Sequence, residues 1–193
     1  MERISAIILA AGGSSRMGQA KQLLPLAGST VLAKTIENTR SAAVDELVLV
    51  LGASAEEIRR QLPLQGLKVV INQTYQQGMA SSLRAGLSAV DHDAALIVLG
   101  DQPFLRPQTL DRIIAEYRHS RAKIVIPTYR GDRGNPVLLD RSVFAEVMAL
   151  EGDIGCRAIF HNHLEEIVKV EVDDEGILLD LDRPEDYDRL IQR

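Results

Sequence analysis

Residues Leu9 to Lys21 read Leu9-Ala10-Ala11-Gly12-Gly13-Ser14-Ser15-Arg16-Met17-Gly18-Gln19-Ala20-Lys21 and concentrate the chain's most suggestive chemistry. A short apolar run, Ala6 to Leu9, leads into them. Small residues follow, then an Arg, a Gly and a Lys. Between Ile4 and Leu32 the only charged residues are Arg16 and Lys21, both positive. A strand that ends in a glycine-rich, cationic loop is suited to holding phosphates with backbone N–H groups and side-chain charge. Gly12 and Gly13 let the backbone approach closely. Arg16 can make a forked contact, and Lys21 supplies a point charge. A surface loop with incidental basic residues is the alternative, and the lack of any acid over so long a stretch speaks against it. The spacing is neither of the two common nucleotide fingerprints. There is no G-x-G-x-x-G, and although Gly13 and Gly18 have Walker A spacing, Gln19 stands where Lys is required.

Acidic residues complement this loop. Gly100-Asp101-Gln102-Pro103 follows five apolar residues, Ala95 to Leu99. A buried strand delivering a carboxylate at its tip fits a ligand for a hard cation, typically Mg²⁺ shared with phosphate oxygens. A turn Asp bonding its own backbone before Pro103 is the plainer reading, and the phosphate loop tips the balance toward metal. Asp180 or Asp182, in Asp180-Leu181-Asp182-Arg183-Pro184, could complete the site, while an Asp just before Pro at a helix start is also a good N-cap. In the segment Asn72 to Ser82, the Asn72 amide and the Ser81 and Ser82 hydroxyls near Gly78 could read a base or ribose edge, or merely cap a helix. His161 and His163 lack a Cys or acid at zinc spacing and read as surface residues. Cys156 reads as a small packed residue rather than a nucleophile.

The elements that must position these residues alternate. Strands are expected over Ala6–Leu9, Leu47–Leu51, Lys68–Ile71, Ala95–Leu99, Lys123–Ile126, Val137–Leu139 and Ile167–Val172. Helical spacing links Leu32, Ile36, Thr39 and Ala43; Leu110, Ile113, Ile114 and Tyr117; and Tyr187, Leu190 and Ile191. Ser54-Ala55-Glu56-Glu57 reads as a capping box, and Pro107 fits a first helical turn. Continuous apolar strands separated by helices imply an α/β fold, a Rossmann-like three-layer sandwich with a mostly parallel central sheet covered on both faces. The last third is less regular: Gly131 to Pro136 reads as a turn and Glu151 to Gly155 as a loop, together an antiparallel excursion. Ligands of such sheets bind at the carboxyl ends of strands, and Leu9, Ile71 and Leu99 each lead into one of the segments above.

Composition sets the outer limits. The chain has 193 residues, enough for one domain over 1–193. A net charge of −5 and scarce aromatics argue against nucleic acid and anionic membrane as partners and toward a small anionic ligand. No apolar stretch approaches a bilayer span, the start lacks a signal-peptide pattern, and a single cysteine excludes an internal disulfide framework. A cytoplasmic location is the resulting expectation.

With these residues in view, Leu9 to Lys21 resembles the L-A-A-G-x-S-x-R-M-G-x-x-K signature of the molybdopterin-type nucleotidyltransferases. Gly100-Asp101-Gln102-Pro103 resembles their G-D-x-P block, and Asn72 to Met79 their N-x-x-[YW]-x-x-G-[ML] segment. Gly134-Asn135-Pro136-Val137, Gly152-Asp153-Ile154-Gly155 and Asp180 to Tyr187 resemble later blocks, so the likeness spans the chain, in the order of the cytidylyl branch. The resemblance implies a glycosyltransferase-A-like nucleotide-diphospho-sugar transferase fold, CTP and Mg²⁺ as nucleotide and cofactor, and molybdopterin-bound molybdenum as acceptor. It implies a molybdenum hydroxylase apo-enzyme as recipient. It assigns catalysis to Arg16, Lys21 and Asp101, and metal binding to Asp101 and Asp182, with Asp180 as substitute. Nucleotide contacts fall to Leu9, Ala10, Ala11, Gly12, Gly13, Ser14, Arg16, Lys21, Asn72, Gly78, Ser81, Ser82 and Gly100. Asn135, Asp153 and Arg157 go to the acceptor. By the same analogy Ala11 selects CTP over GTP, where guanylyl relatives tend to carry Gly. Asn135 replaces a His frequent in cytidylyl members, and Arg183 replaces the usual Thr. Two other readings stay open: a sugar- or alditol-phosphate nucleotidylyltransferase of the same fold, and a non-catalytic nucleotide-binding chaperone that delivers the cofactor.

Overall fold

A computed structural model describes residues 2–13, 20–181 and 184–191, with the side chains of 184 and 189–191 left aside. The chain runs β1 (Ile4–Ala10), β2 (Pro25–Leu26), β3 (Ser29–Thr30), α1 (Val31–Arg40), β4 (Glu46–Leu51), α2 (Ala55–Gln61), β5 (Lys68–Ile71), α3 (Met79–Leu87) and β6 (Ala94–Leu99). It continues through α4 (Pro107–Ser120), β7 (Ile124–Tyr129), β8 (Asp132–Arg133), β9 (Val137–Asp140), α5 (Phe144–Met148), β10 (Ile167–Glu171) and α6 (Pro184–Ile191). The main sheet has the order β10-β7-β9-β6-β1-β4-β5, with β8 paired to β7. β2 and β3 form a separate hairpin. The apolar runs are strands because both their faces are covered. Alternate residues of β1, such as Ile4 and Ile8, pack with Leu32 and Ile36 of α1, Ile58 of α2 and Leu110 and Ile113 of α4. Ile7 faces the other way, in one cluster with Leu83 and Leu87 of α3 and Phe144 and Val147 of α5. Three layers result, as the continuous hydrophobic strands require.

Register decides what the sheet presents at its edge. β1 lies between β4 and β6, parallel to both, with Leu9 level with Val50 on one side and Leu99 on the other. β5 continues the parallel order, with Ile71 level with Leu51. The carboxyl ends of β1, β5 and β6 are therefore aligned along one edge. β9 is antiparallel to both β6 and β7, so its beginning reaches that same edge. The turn expected over Gly131 to Pro136 is a hairpin, β7 to β8, followed by a cis Asn135–Pro136 bond.

Some local expectations change. The helix after Ser54 forms, but the Ser54 hydroxyl makes no capping bond. Its backbone angles, φ −106° and ψ 23°, are not those of an extended N-cap. The helical pattern through Ala43 ends at Arg40, since Ser41 already takes the C-cap position of α1. His163 is buried rather than on the surface. Its Nδ1 lies 2.8 Å from Glu166 Oε2 and its Nε2 2.9 Å from Glu146 Oε1, so two carboxylates satisfy the ring inside the fold. Cys156 is buried, as expected. Among the described residues no helix is long and apolar enough to cross a membrane.

Candidate active site

A cleft of about 520 Å³ opens at the aligned strand ends. Its floor is the end of β1 and the chain beyond it, Leu9 to Gly13, beside Leu99, Gly100 and Asp101 from the end of β6. Two close approaches build that floor. A Cβ on Gly100 would lie 2.9 Å from Leu9 O and 2.9 Å from Ala10 Cβ, so only glycine lets the two strand ends meet. Gly100 N–H then bonds Leu9 O at 2.9 Å. Gln22 is buried and donates through Nε2 to Gly12 O at 3.2 Å and to Ala10 O at 3.4 Å, bracketing Ala11.

The charged centre joins two residues 80 positions apart. Lys21 Nζ lies 2.5 Å from Asp101 Oδ2, with the two side chains 16% and 14% exposed. Little solvent reaches such a pair, so screening is weak. Asp180 lines the same cleft. The segment that carries it is tied down at both ends. Leu181 N–H bonds Asp101 O at 3.2 Å, and Leu181 is buried with Leu24, Leu26 and Val31. Upstream, the carboxylate of Asp174, 2% exposed, accepts from Arg106 N–H (3.0 Å), Thr109 Oγ1 (2.6 Å) and Gly176 N–H (3.0 Å). Asp174 thus satisfies the N–H of Arg106, the N-cap residue of α4, and holds the first turn through Thr109.

The third wall is the start of α3 and the loop before it. Tyr75, Gln76, Gln77, Gly78, Met79 and Ser82 line the cleft. Gly78, at φ 95° and ψ −177°, lies against the Gly152–Asp153 backbone. The N-terminus of α3 is capped from there. Met79 N–H bonds Asp153 Oδ1 and Ala80 N–H bonds Gly152 O, each at 3.2 Å. Asp153 therefore lines the cleft while using one oxygen for the helix. Asn72 and Ser81 sit behind the wall: Asn72 Nδ2 donates to the hydroxyls of Ser81 (2.8 Å) and Ser82 (3.1 Å), and Ser81 donates to Gly78 O (2.8 Å). Of the residues singled out from sequence, Leu9 to Gly13, Lys21, Gly78, Ser82, Gly100, Asp101, Asp153 and Asp180 line one cleft. Asn135 and Arg157 do not line it. Asn135 is held by its N–H to Ile177 O at 2.9 Å, and Arg157 is exposed. Ser14, Arg16 and Asp182 lie outside the described residues.

The donor set suits a small hard cation. Asp101 already binds one cationic group, the Lys21 ammonium, and Asp180 adds a second carboxylate to the same wall. No group of three His, Cys, Asp or Glu side chains gathers among the described residues. A divalent ion here would complete its shell with water and substrate phosphate oxygens, as Mg²⁺ commonly does.

Comparison with known proteins decides the family. Residues 6–167 match the family of the MobA-like NTP transferase domain. The chain belongs to this nucleotidyltransferase family. It is 30% identical to the molybdenum cofactor cytidylyltransferase of Escherichia coli, across 97% of this chain and 95% of that protein. It is 29% identical to nicotine blue oxidoreductase of Paenarthrobacter nicotinovorans, across 97% and 96%. The crystal structure of Rv0371c from Mycobacterium tuberculosis superposes with a TM-score of 0.90 at 36% identity, covering 100% of this chain and 99% of that one. A manganese complex of the same mycobacterial protein superposes at 0.84 and 34% identity, covering 98% of each chain. The mostly parallel sheet with its antiparallel strand is thus the nucleotidyltransferase fold of these MobA-like proteins.

Proposed function

We propose that this protein transfers CMP from CTP to molybdopterin-bound molybdenum cofactor, forming the cytosine dinucleotide of the cofactor and pyrophosphate. The observation that carries the reading is the meeting of Lys21 and Asp101, 2.5 Å apart, on a glycine-rich floor at the strand ends. A cation to receive phosphate and a carboxylate to receive metal are what phosphoryl-type transfer needs from a protein. The near full-length likeness to a molybdenum cofactor cytidylyltransferase supports the choice of substrates.

In the proposed reaction a phosphate oxygen of the acceptor attacks the α-phosphorus in line. The new P–O bond forms as the bond to the β-phosphate oxygen breaks, and pyrophosphate takes that electron pair. The attacking phosphate is anionic at neutral pH, so the protein's task is positioning and charge stabilisation. Lys21, joined by Arg16, holds the β- and γ-phosphates and offsets charge on the leaving group. Backbone groups from Ala10 to Gly13 seat the nucleotide, and Ala11 narrows the base site in favour of CTP. Asp101, with Asp182 or Asp180, would hold Mg²⁺, which when bound supplies positive charge across the reacting phosphates. Asp153 is the acceptor-side group within the cleft, its second oxygen able to accept from a heterocycle N–H. Asn135 and Arg157 would meet only the distal part of the acceptor. The product would pass to a molybdenum hydroxylase apo-enzyme in the cytoplasm.

The test is pyrophosphate release with molybdenum cofactor, Mg²⁺ and each of the four nucleoside triphosphates. Release with CTP alone is expected. Release only with a sugar or alditol phosphate as acceptor, or CTP binding with no release, would replace this reading with one of the two others the sequence allows.

A further inference from the structure

Lys21 and Asp101 each have two roles, and their contact sets those roles in opposition. The Lys21 ammonium sits on Asp101 Oδ2 at 2.5 Å with both side chains nearly covered. A divalent cation would share that carboxylate with the ammonium, which at such range repels it with little screening. The same ammonium is the group the loop offers to a triphosphate. Of the two partners, Asp101 is the immobile one. Gly100 before it is bonded to Leu9 O and leaves no room for a Cβ, and the Asp101 carbonyl is engaged by Leu181 N–H. Lys21 is the mobile one, a point charge on a flexible four-carbon stem. Its backbone stays in place because Gln22 beside it is buried and bonded to the Ala10 and Gly12 carbonyls.

We propose that Lys21 gates the metal carboxylate: a triphosphate draws the ammonium off Asp101, and only then is the oxygen open to a divalent ion. The inference rests on the nucleotidyltransferase reading above and adds an order to it. Nucleotide, or nucleotide already carrying its metal, enters before free metal does. Lys21 thereby determines the form in which metal is admitted, in addition to holding phosphate.

Mn²⁺ titration by calorimetry tests this without turnover. The proteins are the wild type, Lys21→Met, Asp101→Asn and the double variant. Each is measured alone and with the α,β-methylene analogue of CTP. Without nucleotide, Lys21→Met should bind Mn²⁺ at least tenfold more tightly than wild type, a gain of about 1.4 kcal/mol. The double variant should lose that gain. Lys21→Gln serves as a second substitution, and circular dichroism melts establish that each variant is folded. A Lys21→Met protein that binds Mn²⁺ no more tightly than wild type overturns the gate. If Asp101→Asn still abolishes the Mn²⁺ site formed with the analogue, the metal assignment survives that loss. If Asp101→Asn changes Mn²⁺ binding in neither state, the assignment of the metal site falls along with the gate.

Discussion

Replacing Gly78 by Ala probes the joint between the α3 wall and the Asp153 loop. Gly78 has φ 95° and ψ −177°, a region that residues with a Cβ rarely enter, and the backbone cost there is about 1–3 kcal/mol. The added Cβ would lie 2.4 Å from Gly152 C and 2.5 Å from Asp153 N, both backbone atoms that no rotamer change can move aside. Relief requires the loop to withdraw, which breaks the bonds from Ala80 N–H to Gly152 O and from Met79 N–H to Asp153. Each is worth about 1 kcal/mol. The total loss is about 3–5 kcal/mol, a large part of the roughly 5–15 kcal/mol that holds a typical domain. Gly66 provides the control. It also has positive φ, +78°, but nothing lies within 4 Å of its added Cβ, so Gly66→Ala should cost only about 1–2 kcal/mol. Urea unfolding followed by circular dichroism gives both values. Equal losses at the two positions would refute the claim that contact with Gly152–Asp153, rather than backbone angle, sets the penalty at Gly78.

Further outcomes can be checked separately. Asp101→Ala and Lys21→Ala should each lower nucleotidyl transfer by roughly two to four orders of magnitude, about 3–5 kcal/mol, with thermal melts showing an intact fold; wild-type rates in both would remove them from the site. The His163 cluster should shape stability against pH. The Glu166 hydrogen bond, joined by that of Glu146, raises the His163 pKa. In Glu166 the His163 and Lys123 bonds lower the carboxyl, while in Glu146 burial pushes upward but the bonds from His163 and Asn162 outweigh it. The His163 contribution is complete below the ordinary histidine value, about 6.5, and fades as pH rises through its raised folded value. The carboxylate contributions are complete above their ordinary range and fade as pH falls through their lowered folded values. Melting temperature should therefore plateau between these limits, and an unchanged alkaline profile in His163→Gln would contradict the pairing. Burial pushes the Cys156 thiol up to about 11, so a thiol-specific chromogenic disulfide at pH 8 should leave the native protein unlabelled and react fully in urea; rapid native labelling would place the thiol outside the core.

The reach of sequence reasoning follows the range of the interactions involved. β1, β4, β6 and β9 fall within one or two residues of the strands read from apolar runs, because continuous burial leaves a local trace. Pro107 opens α4 as its fixed φ allows. The capping box at Ser54 misled because a cap depends on the angle at which the chain enters the helix, which the motif does not encode. The burial of His163 is only half written locally: Glu166 lies three residues on, but Glu146, 17 residues back in α5, is brought to the ring by packing alone. The place of Gln22 is hidden from local sequence for a similar reason. A glutamine beside a cationic loop reads as solvated, whereas here its amide is buried on the carbonyls flanking Ala11.

What the chain's letters determined alone was the set of chemical groups and the strand ends that deliver them: a cationic, glycine-rich loop after β1 and a carboxylate after β6. Those features are local, written in a few consecutive residues and in the period of burial. What only the tertiary structure decided was which groups meet. Lys21 reaches Asp101, 80 positions away in sequence, because β1 and β6 pair in one particular register, Leu9 beside Leu99. Asp153 caps α3 because Gly78 leaves room for its loop. Register and close approach are settled by packing the whole sheet against both helix layers, and no short stretch of sequence contains that information.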